Sequence, residues 1–259
     1  IWSPDDFDRF GENLIGHALA KQRLCALLTV FFGYQAAQVK PDTSFEKMIP
    51  LKHPYIANMI AHENDLPNLG NSIRIAVEIK DGDIFSTEYM ETLKRINDEV
   101  FFLPGVDRSN LRSLWTPNVR WTEVTEYGFD GGPVTNHPSY TNEEDLEELR
   151  ANVLKSGEIG RLVANNFKSS IIEVPLQEFY PNPDNQSELL RLDYKQFSHL
   201  LEEKIRDRFQ SENPNIKIHI VGFAKKVGDL IDGLIGVVGF FGIAFVITFV
   251  LLYMFTWCI

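Results

Sequence analysis

Gly233–Ile259 reads GLIGVVGFFGIAFVITFVLLYMFTWCI, 27 residues without a charge. As a helix rising ~1.5 Å per residue it covers roughly 40 Å, more than the ~30 Å hydrocarbon core of a bilayer. No core helix of a soluble domain needs that length, so the stretch predicts a membrane span within residues 227–259. Gly233, Gly236, Gly239 and Gly242 recur at spacing three. Small residues so placed let a second helix approach closely in lipid, which marks them as helix-packing candidates. Phe240, Phe241 and Phe245 are candidates for a hydrophobic substrate path, against the plainer reading that they face lipid. Asp229 and Asp232 stand just before the run, where a helix start favours acids anyway. Carboxylates at a membrane boundary are also candidates for a role in transport.

The second uncharged run is Leu24–Val39, 16 residues bounded by Lys21 and Arg23 on one side and Lys40 on the other. Its length is marginal for a span. With snorkelling lysines it predicts a first transmembrane helix over 24–39. Lys21 and Arg23 then place its start in the cytoplasm, and Lys225 and Lys226 fall on the far side. Ahead of it, Phe7, Phe10, Leu14, Ile15 and Ala18 share one helical face, so residues 1–23 read as a cytoplasmic amphipathic helix lying on the membrane or packed on other protein. Charged sequence precedes the apolar run and no cleavage site is visible, which excludes a cleavable signal peptide. The chain lacks an initiating Met and stops inside an apolar run, as a fragment of a longer protein would.

Between the two runs lie residues 40–226, expected outside the cytoplasmic membrane. They hold 30 acidic and 22 basic side chains, for a net charge of −8, which disfavours nucleic acid and a polybasic lipid surface. Neither cysteine is among them, so this domain is held by its core rather than by disulfides. Asn71–Ile79 alternates as a strand. Asp81-Gly82 turns the chain, and Ser86 starts a helix from Thr87 to about Phe102 with Met90, Leu93, Ile96 and Val100 as its stripe. Val106–Leu114 reads as a second strand. Residues 115–168 read as one insert, with a turn at Gly131-Gly132-Pro133 and an acidic helix capped at Thr141-Asn142. Ser169–Phe179 reads as a third strand, Leu189–Gln210 as a helix ended by Asn213-Pro214-Asn215, and Ile216–Val221 as a fourth strand. The order is the split βαβ, ferredoxin-like pattern. The predicted fold class is therefore an α+β membrane protein, with two transmembrane helices flanking an extracytoplasmic ferredoxin-like domain that carries a helical insert.

Several stretches resemble the resistance–nodulation–division (RND) superfamily on its MMPL/Patched-like side: FEKMIPLKHP at 45–54, LPGVDRSNLRSLWT at 103–116, residues 157–176, and Val221-Gly222-Phe223 before the long helix, where Ala224 stands in place of a frequent Pro. The resemblance implies a multi-pass inner-membrane exporter driven by the proton motive force, with 40–226 as a periplasmic porter domain and a hydrophobic or lipid-like substrate. Its proton relay would lie in later spans outside this chain. It further implies as partners membrane lipid, further transmembrane helices, a second porter domain, and a homo-oligomer or periplasmic accessory protein. The competing expectation is a two-span receptor or sensor around an extracytoplasmic ligand-binding domain. Neither expectation includes an enzyme or a bound cofactor. His53, His62 and Glu63 cluster without a metal-site spacing, and His17, His137, His199 and His219 are scattered, so no metal is expected. The acidic run Glu143, Glu144, Asp145, Glu147, Glu148 starts a helix, where anions are favoured whether or not a cation binds.

Overall fold

The computed structural model describes residues 23–25, 27–36, 38, 50, 52–62, 71–182, 185 and 187–257. The amphipathic segment expected before residue 23, His17, Lys21, Lys40, Glu63, Cys258 and most of the 45–54 stretch lie outside them. Residues 1–42 and 43–259 form two compact units. In the first, the apolar helix α1 covers Arg23–Ala36 and is too short to span a bilayer. At ~1.5 Å per residue it reaches roughly 20 Å, against a hydrocarbon core of ~30 Å. The first of the two expected spans is therefore withdrawn.

In the second unit, α2 (Pro54–Ala61) precedes β1 (Ser72–Ile79), whose alternation is the one expected: Ile73, Ile75, Val77 and Ile79 are all buried. β1 is the middle of a three-stranded antiparallel sheet ordered β4-β1-β7, with β4 at Ser169–Pro175 and β7 at Ile216–Gly222. Ile75 faces Ile172 on one side and Ile220 on the other. Helix α3 (Thr87–Phe101) lays Tyr89, Met90, Leu93, Ile96 and Val100 into the same core. The Tyr89 hydroxyl donates to the Val77 carbonyl at 2.8 Å and accepts from the Ser170 amide at 2.9 Å, so one side chain ties α3 to both β1 and β4. Burial pushes the Tyr89 hydroxyl far above its ordinary pKa, so it stays a neutral donor.

The expected strand over Val106–Leu114 does not form. Only the isolated bridges Val106↔Leu176 and Arg112↔Glu173 remain. The Asp107 carboxylate accepts from the Ser109 amide at 3.1 Å and from Asn110 Nδ2 at 2.8 Å, a local turn that competes with a ladder. The insert holds a hairpin, β2 (Arg120–Thr125) and β3 (Gly128–Pro133), where the sequence suggested only a turn. It continues into α4 (Glu143–Ser156), which begins at the expected cap, with the Asn142 side chain accepting from the Asp145 amide. The helix ends at Gly157, whose φ of 70° is left-handed.

The helix expected from Leu189 starts later. Leu189–Arg191 is strand β6, paired with β5 (Phe179–Pro181). Asp193 then caps α5 (Tyr194–Leu200), accepting from the amides of Lys195 and Gln196. A π-helical stretch, Leu201–Asp207, and α6 (Arg208–Glu212) continue it. Phe197, Leu201, Ile205 and Phe209 from this run close the core. Helix α7, Phe223–Trp257, follows β7 without a break. Over the described residues the fold is thus mixed α/β, a three-stranded sheet with two hairpins and one long apolar helix at the C-terminal end. It is not a ferredoxin-like porter domain between two spans.

Candidate functional site

Helix α7 changes character along its length. Its first turns lie against α5. Ala224 and Val227 are buried, and the Phe223 ring meets Tyr194 edge-on at 5.6 Å. At Gly228 a Cβ would stand 2.3 Å from Ser198 Cβ and 2.7 Å from the Tyr194 carbonyl oxygen. Only glycine allows the two helices this close.

A polar collar surrounds the contact. The side chain of Lys225 is only 9% exposed. Its ammonium lies 2.8 Å from a carboxylate oxygen of Glu202, which belongs to the π-helical stretch, and donates to Asp229 one turn on. The Ser198 hydroxyl donates to the same Asp229 oxygen at 3.1 Å, and Arg206 holds Glu202 at 2.7 Å. Asp232 lies 3.3 Å from Lys195 Nζ and 2.9 Å from His199 Nε2. A charge this shielded from water persists only when it is paired. The collar is thus a weld between the domain and the helix, and its ionised groups are spent on each other.

Both interface carboxylates singled out in the sequence, Asp229 and Asp232, therefore sit in the collar. Lys225 is not a flanking charge that reports topology; it is consumed inside. The Lys225–Asp229 pair has the i,i+4 spacing readable in any helix, whereas Glu202 and Ser198 carry no sequence signal that points to it.

From Gly233 onward α7 changes surroundings. A Cβ on Gly233, Gly236, Gly239 or Gly242 would meet nothing within 4 Å. Phe240, Phe241 and Phe245 are exposed, away from the collar. The apolar window of α7 has a mean hydropathy of 2.7, and none of it is buried within the chain. By length and composition α7 is long and apolar enough to cross a membrane.

The remaining candidates separate. His137 approaches Glu148 at 3.1 Å and Asp145 at 3.8 Å, so the acidic helix start is turned toward a histidine. The hydrogen bond to the Glu148 carboxylate raises the His137 pKa above its ordinary value, against an opposing effect of desolvation, and the same bond lowers that of Glu148. His219 pairs with Glu78 at 2.9 Å, and the His53 ring accepts from the Tyr55 amide. No group of three or more metal-binding side chains occurs among the described residues. A shallow cleft of about 270 Å³ lies between α3 and α6, lined by Arg95, Asp98, Glu99, Phe102, Arg208 and Phe209. Its guanidinium groups are occupied: Arg95 with Glu212 at 2.6 Å, and Arg208 with Glu99 at 2.6 Å and Glu212 at 3.2 Å.

Comparison with known proteins corrects the resemblance drawn from the sequence. The family described as Syd protein (SUKH-2) matches residues 1–40. Protein Syd of Colwellia psychrerythraea strain 34H is 58% identical over 31 residues, which are 12% of this chain and 16% of that relative. The chain thus matches about a sixth of the length of this relative. These matches point to Syd and not to an RND permease. The exporter function, its lipid-like substrate, the receptor alternative, and the expected partners (further transmembrane helices, a second porter domain, a periplasmic accessory protein) fall with the resemblance. The multi-pass topology and the periplasmic siting lose their basis as well, because the charges at Lys21 and Arg23 no longer flank a span.

Proposed function

We propose that the chain is a Syd-type accessory protein that works by binding at the cell inner membrane. Its α/β domain is carried on the bilayer surface by a single crossing of α7, and it has no reaction chemistry or cofactor of its own. The observation that carries this reading is the collar. A helix that is welded to its domain over its first turns and bare from Gly233 onward is built as a rigid anchor. Pairing of Lys225, Glu202, Asp229 and Asp232 in the weld favours a holding role over a chemical one. The match over residues 1–40 supports the Syd-type part of the reading.

The test is fractionation of cells that express the full chain. The protein should stay in the membrane pellet through an alkaline carbonate wash, while a chain ending after Asp232 is released to the supernatant. Release of the full chain by the wash would overturn the anchor.

A further inference from the structure

The β2–β3 hairpin has two unlike faces. On one, Lys155 of α4 lies 2.5 Å from a Glu123 carboxylate oxygen and 5.2 Å from the centre of the Trp121 ring. The pleat turns Val124 to the opposite face, and the register places Phe129 beside it. Val124 is 75% exposed and Phe129 84%, and Tyr127 in the connecting turn is 98% exposed. A cross-strand aromatic and β-branched pair is a stabilising unit when something covers it. Here nothing among the described residues does. Among the described residues the two strands pair with each other and with no third strand, so the hairpin offers backbone groups for strand addition. An aromatic cluster beside open edges has the composition of an interface.

Charge selects the occupant. Residues 120–133 hold Glu123, Glu126 and Asp130 against Arg120. Lys155 occupies Glu123. Among the described residues Glu126 forms no ion pair, and Asp130 accepts from the Gly131 amide at 2.8 Å without an ion pair of its own. An anionic membrane surface is repelled by such a tip. A second copy of the hairpin would set acid against acid. A cationic partner is attracted.

We propose that the β2–β3 hairpin docks an extended segment of a partner protein in which basic and apolar side chains alternate. The apolar side chains would cover Val124, Tyr127 and Phe129, and the basic ones would meet Glu126 and Asp130. This goes beyond the membrane anchor and rests on different residues, so either reading can fail without the other.

The probes are two labelled peptides, one alternating Lys and Val and one alternating Glu and Val, titrated against the full chain in neutral detergent micelles by fluorescence anisotropy. The Lys–Val peptide should bind, more weakly as salt is added. Phe129→Ser and Glu126→Lys should each loosen it about tenfold, at unchanged melting temperature because both side chains are exposed. Equal binding of the two peptides, or full binding by both variants, would overturn the proposal. So would a dimer that Phe129→Ser abolishes, which would assign the face to a second copy. Quenching of a Tyr127→Trp fluorophore by brominated anionic lipid would assign it to the membrane and equally overturn the proposal.

Discussion

The two ends of α7 are one helix in two solvents. Over Ala224–Gly228 one face of the helix meets protein, and that face is fitted: a buried lysine has two carboxylates and a glycine stands where a Cβ cannot. From Gly233 the side chains are mostly apolar and exposed, and a Cβ on any of the four glycines would meet nothing within 4 Å. Apolar character therefore does not say where a residue is buried; the partner surface does. Packing is steric at the first end, so single atoms matter there. At the second end the requirement is only a low-polarity medium, and many side chains satisfy it equally.

The sharpest way to break this contrast is to place the same substitution at both ends. Gly228→Leu drives a side chain into Ser198 and the Tyr194 carbonyl. Overpacking of this kind costs about 3 kcal/mol or more, a fall of roughly 6–12 °C in melting temperature for a domain of this size. Gly236→Leu meets open space and should change domain stability by less than about 0.5 kcal/mol. Thermal unfolding in micelles, followed by near-ultraviolet circular dichroism, reads both. Equal losses at the two positions would mean that the collar is not packed as described.

A smaller effect comes from charge. Lys225→Met removes the ammonium from between Glu202 and Asp229, but Arg206 still holds Glu202 and Ser198 still donates to Asp229. With those partners left, the cost should be about 1 kcal/mol. The neighbouring Lys226 is exposed, and Lys226→Met should be silent to within about 0.5 kcal/mol. Equal melting temperatures for the two variants would take the collar charges out of the weld.

What could be read from the residues alone follows the same division. β1 alternates because one face meets the core, α3 shows its stripe, and α4 announces its cap at Asn142; each is a local pattern with one physical cause. The apolar run of α7 is the plainest case. The failures occur where local patterns compete. Val106–Leu114 reads as a strand between its apolar ends, but the Asp107 side chain turns the chain. Leu189–Leu190 continues a helical pattern, yet the cap that starts the helix is Asp193 and the two leucines pair with Tyr180 and Pro181. Gly131-Gly132 reads as a turn, but in β3 it lies across from Trp121 and Thr122. Of the candidate site, Asp229 and Asp232 were legible from their place before the apolar run. Glu202 and Ser198 were not, because their role depends on two helices meeting. The RND resemblance rested on short stretches such as LPGVDRSNLRSLWT, a segment that forms turns rather than the strand expected of it.

The claim that α7 leaves the protein and enters lipid between Asp232 and Gly233 is tested most directly by depth. Single nitroxide labels at Lys226, Val237, Val246 and Phe255 of the full chain in lipid bilayers can be relaxed by molecular oxygen, which concentrates in hydrocarbon, or by a water-soluble nickel chelate. The account predicts that the chelate relaxes the label at Lys226 and that oxygen dominates at Val237 and Val246. Strong relaxation by the chelate at Val246 would contradict it.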